Sequence, residues 1–152
     1  MYIMLTNFII GFIIPWILGI FIYFKEKILL FVIAPFFSTV AYTVNTWGFY
    51  KDYWSLYPFN LGKVSSVPFD LGLYPVLSVY LVYLIKKSNI NAYIVVILFS
   101  IFTTFLEALG IIIGKVAYHN GWNIFYTFFS YLFPYILVYY YYLNLKRINI
   151  LE

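Results

Sequence analysis

Ser100-Ile-Phe-Thr-Thr-Phe-Leu-Glu-Ala-Leu-Gly-Ile-Ile-Ile-Gly114 sets one carboxylate, Glu107, inside a long apolar run. Wound as an α-helix at ~100° per residue, the stretch sorts into two faces. Ser100, Thr103, Thr104, Glu107, Gly110 and Gly114 share roughly a third of the circumference. Phe99, Phe102, Phe105, Leu106, Leu109, Ile112 and Ile113 cover the rest. A helix that is apolar around two thirds of its girth needs a lipid or protein neighbour on almost every side. The small and polar stripe marks the side turned toward other helices.

The whole chain repeats this character. Of its 152 residues 65% are hydrophobic and only 9% are charged, with a mean hydropathy of +0.94. A soluble domain carries about 25% charged residues, so this chain cannot cover a water-facing surface. The expected class is an all-α, polytopic transmembrane bundle forming one domain over residues 1–152, a multi-pass protein of the cell membrane with the lipid bilayer as its first partner. There is no cysteine, which excludes disulfides and thiol chemistry. The net charge of +4 comes from basic residues at helix ends, a topology signal and not a nucleic-acid surface.

Five runs read as spans: about 3–24, 28–47, 68–85, 92–113 and 124–143. Four of them are long enough to cross ~30 Å of hydrocarbon; the shortest, 68–85, rises about 27 Å and needs flanking residues or local thinning. Lys25-Glu26-Lys27 separates the first two. Ser65 or Ser66 is expected to cap the third, with Asp70 in its first turn, where a helix N-terminus favours negative charge. With the amino terminus outside, Lys25, Lys27, Lys86, Lys87, Lys146 and Arg147 face the cytoplasm, and Lys51, Lys63 and Lys115 face outward. That six-to-three split predicts an N-out/C-in orientation. The interval 48–67 reads as an interfacial loop with Trp47 and Trp54 at headgroup level.

In this topology the polar side chains gather in the outer third. Glu107 lies seven residues below Gly114, about 10 Å deep. A carboxyl there must be neutral, paired with a base such as Lys115, Lys51 or His119, or held by donors such as Thr103, Asn45 or a buried tyrosine. Glu107 and Asp70 are the candidate acid/base residues. Asn45, Trp47, Asp70, Thr103, Glu107, His119 and Trp122 are the candidate ligand-binding set. Ala34, Ser38, Ala41 and Asn45 form a second small and polar stripe, expected to pack against the Glu107 helix. Gly110 and Gly114 have the spacing of a close helix contact, within the chain or in a homodimer. His119 stands alone without metal-ligand spacing. No phosphate loop or nucleophile elbow is present, and no pattern requires a metal or cofactor.

Trp47-Gly-Phe-Tyr-Lys-Asp-Tyr-Trp54, Pro68-Phe-Asp-Leu-Gly-Leu-Tyr-Pro75, Glu107 within a span, and Trp122 followed by Tyr126 and Ser130 together resemble an uncharacterised family. Its members are small multi-helix membrane proteins of spore-forming Gram-positive bacteria. That resemblance implies an integral membrane location and no defined activity. Asp52-x-Trp54, Pro58, Gly62 and Pro68-Phe-Asp70 are more faintly similar to the small membrane lycopene cyclases, with Leu71 where those enzymes carry a second acid. What this likeness implies is an acid at the mouth of a helix, facing a cavity for an apolar molecule.

Three functions follow as expectations. The first is a non-enzymatic membrane component that binds a lipid, an apolar ligand or a partner. The second is an intramembrane cyclase- or isomerase-type enzyme on an isoprenoid or lipid, using Asp70 and Glu107. The third is a small dimeric transporter coupled to protons or cations through Glu107.

Overall fold

A computed structural model describes residues 4–151. Four long helical elements account for most of it. Helix α1 (Leu5–Tyr50) is followed by β1 (Trp54–Leu56) and α2 (Phe59–Lys87); α3 (Ala92–Ile112), β2 (Val116–Tyr118) and α4 (Ile124–Arg147) complete the chain. The helices α1, α2 and α3 are long and apolar enough to cross a membrane. Their outer surfaces carry large exposed apolar side chains, among them Phe24 at 78% and Ile112 at 78%. Patches on this scale are tolerated where lipid is the solvent.

Helix α1 does not run straight. Glu26 has φ −150° and ψ 62°, outside helical values. Both Asn7, near the start, and Asn45, near the end, bond to residues of the same segment, 57–70. A straight helix would set those two asparagines about 57 Å apart. The chain therefore folds back at Glu26 into two antiparallel limbs, 5–25 and 27–50. The Glu26 carboxylate meets Lys86 Nζ at 3.0 Å and Lys87 Nζ at 2.9 Å, tying the turn to the end of α2.

Limb 5–25 crosses α2 at two glycines. A Cβ on Gly72 would fall onto the Gly11 carbonyl, and a Cβ on Gly11 would lie 3.0 Å from the Phe69 ring. Each glycine sits in a widened, π-type turn, Ile9–Ile13 and Phe69–Leu73. Absence of side chains at the crossing is what lets the backbones touch.

The expected caps are not formed. Ser65 Oγ donates to the Pro58 carbonyl at 2.7 Å, and Ser66 Oγ lies 3.0 Å from both the Lys63 carbonyl and Asp70 Oδ2, with one proton shared between them. Both hydroxyls turn back because residues 59–66 already form 3₁₀ turns, the first part of α2. The 48–67 interval is thus ordered: β1 pairs antiparallel with β2, Trp54 opposite Tyr118 and Leu56 opposite Val116. Trp54 is only 6% exposed, so it packs inside the protein at the β1–β2 end instead of standing free as an interfacial anchor.

Packing is uneven along the bundle. Ile22, Leu29, Ile33, Val79, Val82, Val96, Val138 and Tyr142 form a closed apolar core toward the Glu26 end. In α3 the buried residues are Val95, Val96, Ser100 and Thr103, all in its first twelve positions. Beyond Thr103 the helix stands away from limb 5–25 and α2, and the space between them opens.

Candidate functional site

Glu107 sits on that opened half of α3. Tyr118 donates its hydroxyl to Glu107 Oε1 at 2.6 Å, and Tyr131 donates to Oε2. Each phenol has one proton. Since both protons go to Glu107, Thr127 must donate to Tyr118 (2.6 Å) and Tyr74 must donate to Tyr131 (3.2 Å). Trp122 Nε1, a donor only, gives its proton to Thr127 Oγ1 at 2.9 Å. Two relays, Trp122–Thr127–Tyr118 and Tyr74–Tyr131, thus converge on one carboxyl. Burial, with Glu107 beside it, pushes the Tyr118 phenol well above its ordinary value, which keeps it a protonated donor.

Asp70 has a separate network. Asn45 Nδ2 donates to Oδ1 at 2.5 Å and Ser66 Oγ to Oδ2 at 3.0 Å, while Trp54 Nε1 donates to Asn45 Oδ1 at 3.1 Å. Asp70 is fully buried. The Nζ of Lys63 is buried without a hydrogen-bond partner among the described residues, and lies over the Tyr42 ring.

An aromatic lid covers both networks. Trp122 lies 4.8 Å from Tyr53, 4.9 Å from Trp54 and 6.1 Å from Trp47, centroid to centroid. Two cavities lie beneath it. The smaller, about 30 Å³, is lined by Asn45, Trp54, Tyr74, Glu107, Ser130 and Pro134 among others. It has room for about one water. Pro134, inside α4, has no N–H to give the Ser130 carbonyl. The larger is a cleft of about 410 Å³ between limb 5–25, α2 and α3. Its walls are mostly Ile, Leu, Val and Phe, interrupted by Asn7, Asn45, Tyr74, Thr103, Glu107 and Lys115. Its rim residues Ile10, Leu18, Leu109 and Ile113 are exposed on the apolar outer face. Asn45, Trp54, Tyr74 and Glu107 line both spaces.

The residues singled out from the sequence separate in the fold. Asn45, Thr103 and Glu107 meet at the cleft, with Trp122 one relay away. Asp70 lines neither cavity, and Trp47 contributes only to the lid. His119 is exposed, 2.9 Å from Ser55 Oγ, and lines neither cavity. Thr103 does not reach Glu107: its hydroxyl donates to the Phe99 carbonyl and accepts from Tyr135 at 2.8 Å. Among the described residues Glu107 has no basic partner within ion-pair distance. No three carboxylate or imidazole groups among these residues gather within reach of one ion.

The small and polar stripe of limb 27–50 packs on α2 and α4, and its Ala41 and Asn45 meet Glu107 of α3 only across a cavity. Asn45 bonds to α2, and Phe36 and Phe37 stack on Tyr141 and Tyr135 of α4. Ala34 and Ala41 are buried in this arrangement and Ser38 is half-buried. Gly110 approaches Val116 of its own hairpin, and Gly114 lies past the helix end at φ +69° with open space around it.

Tyr74, Tyr118, Tyr131 and Thr127 escaped sequence reasoning. With 18 tyrosines in the chain, none carries a spacing that marks it as a partner of Glu107. No protein-family model, curated protein or solved structure matches the chain.

Proposed function

We propose that the chain is a multi-pass protein of a bacterial cell membrane that holds one apolar or lipid molecule in the cleft beside Glu107. Five crossings, N-out/C-in, fit the two limbs of α1 together with α2, α3 and α4. Lys25, Lys27, Lys86, Lys87, Lys146 and Arg147 then share the cytoplasmic end. The resemblance to small membrane proteins of spore-forming bacteria is consistent with that location.

The observation that carries the reading is the cleft itself. Its volume of about 410 Å³ lies within the ~300–1,000 Å³ range of ligand sites. It combines apolar walls with a few convergent polar groups, and it opens sideways onto the lipid-facing surface. Glu107 is kept in place by two phenols, yet each of its oxygens retains an acceptor site. It can therefore accept one further hydroxyl or N–H from a bound molecule. Asp70 is sealed away from that space, so binding draws more support than two-carboxylate chemistry.

Native mass spectrometry of the protein in mild non-ionic detergent tests this. One co-purifying apolar molecule per chain is expected. Leu106→Trp and Leu77→Trp, which project bulk into the cleft, should each reduce its occupancy. A chain that carries no molecule, and whose lipid uptake both substitutions leave unchanged, refutes the reading.

A further inference from the structure

The cleft has a defined length and a charged end. Along α3 it runs from Thr103 to Ile113, ten residues or about 15 Å. That is half of a ~30 Å hydrocarbon core, the depth of a single leaflet. One end lies at Leu18, Leu77 and Tyr80, where Tyr80 packs against the apolar core. The outer end carries Asn7 and Lys115, level with the aromatic lid. Among the described residues Lys115 is the only cationic side chain lining the cleft. Its Nζ rests 3.6 Å from the Tyr57 ring centroid, and among the described residues no carboxylate pairs with it.

Lys115 lines one end of the cleft and, among the described residues, has no carboxylate partner, so it offers the occupant a positive charge at that end. Tyr57 holds it in position by a cation–π contact, which leaves the ammonium's hydrogen-bond donors unspent. The length, the sideways opening and the charge together define an amphiphile standing upright in one leaflet.

We infer that the occupant is a lipid with an anionic phosphate headgroup, bound by Lys115 at the outer end, with one acyl chain filling the cleft beside Glu107. This rests on the ligand-binding reading above and adds the headgroup class. A membrane lipid fits where a soluble phosphate compound does not, because a free anion would leave about 15 Å of apolar wall unfilled.

The test uses full-length protein in non-ionic detergent micelles doped with equal amounts of dioleoylphosphatidylglycerol, dioleoylphosphatidylcholine or dioleoylglycerol. Native mass spectrometry reads the fraction retaining one lipid. Phosphatidylglycerol should be retained about fivefold more than either other lipid, the advantage of one lysine beside an anionic headgroup. Lys115→Gln should bring the ratio to about one, by the same reasoning. Lys51→Gln, at the same end but off the cleft, should leave the ratio as it was. Equal or greater retention of the zwitterionic or the uncharged lipid by the unsubstituted protein overturns the headgroup inference. So does a preference that survives Lys115→Gln. In either case, reduced retention of every lipid in Leu106→Trp or Leu77→Trp leaves the cleft reading standing. If both tryptophan variants retain all three lipids as the parent does, the cleft reading fails with the inference.

Discussion

Replacing Tyr131 by Phe removes one of the two hydroxyls that hold Glu107 and leaves the ring in place. It strips a donor from Glu107 Oε2 and deprives the Tyr74 hydroxyl of its acceptor. Interhelical hydrogen bonds in membranes average only ~0.6 kcal/mol in double-mutant cycles, with a maximum near 1.7. A bond to a carboxyl group belongs at the upper end of that range, since hydrogen bonds to ionised acceptors reach ~1.5–3 kcal/mol. The neighbouring Tyr118 bond holds the carboxyl in register, so little is recovered by rotation. The expected coupling between Tyr131 and Glu107 is about 1–1.7 kcal/mol. Reversible unfolding in mixed micelles of mild detergent and dodecyl sulfate would measure it, using Tyr131→Phe, Glu107→Leu and the double variant. Tyr93→Phe is the control: its hydroxyl meets only Tyr140, at 3.3 Å on an exposed face, and its loss should cost less than ~0.5 kcal/mol. A Tyr131–Glu107 coupling below ~0.3 kcal/mol, within the additivity expected of independent sites, would refute the converging-donor account.

Gly72→Ala should destabilise the protein by about 1–3 kcal/mol, because the new methyl meets a backbone carbonyl that cannot rotate away. Gly19→Ala, whose Cβ would lie 3.2 Å from the movable Trp16 ring, should cost clearly less in the same unfolding assay. Glu26→Gln removes both ion pairs at the turn of α1; with Lys87 half-exposed, the loss should stay near ~1 kcal/mol or below and shrink further in high salt. The chain lacks cysteine, so single cysteines report topology directly. In intact cells an impermeant maleimide should label Asn60→Cys and spare Asn89→Cys, and the reverse pattern would overturn the N-out/C-in orientation.

Hydropathy was enough to show that this chain forms long apolar helices, because ~20 consecutive apolar residues have few alternatives in any solvent. The 3.6-residue period was enough to turn the Ser100–Thr103–Glu107 stripe inward, and those residues do face the protein. The partners of that stripe were not legible. A periodic face states that something packs on it and not which helix does so, and the small residues of limb 27–50 met α2 and α4 instead of α3. The Gly110–Gly114 spacing looked like a helix crossing, whereas the close glycine contact formed between Gly11 and Gly72, 61 positions apart. Tyr118 and Tyr131 reach Glu107 only because the short β1–β2 pair and α4 bring them there. Strands of three residues leave almost no periodic trace. The cleft is a property of space and not of residues: it exists because α3 diverges from α2 beyond Thr103. Local side-chain chemistry thus determined the helices and their polar stripe. Tertiary packing alone decided that the stripe's carboxyl would be clasped by tyrosines at the wall of a cavity between α1, α2 and α3.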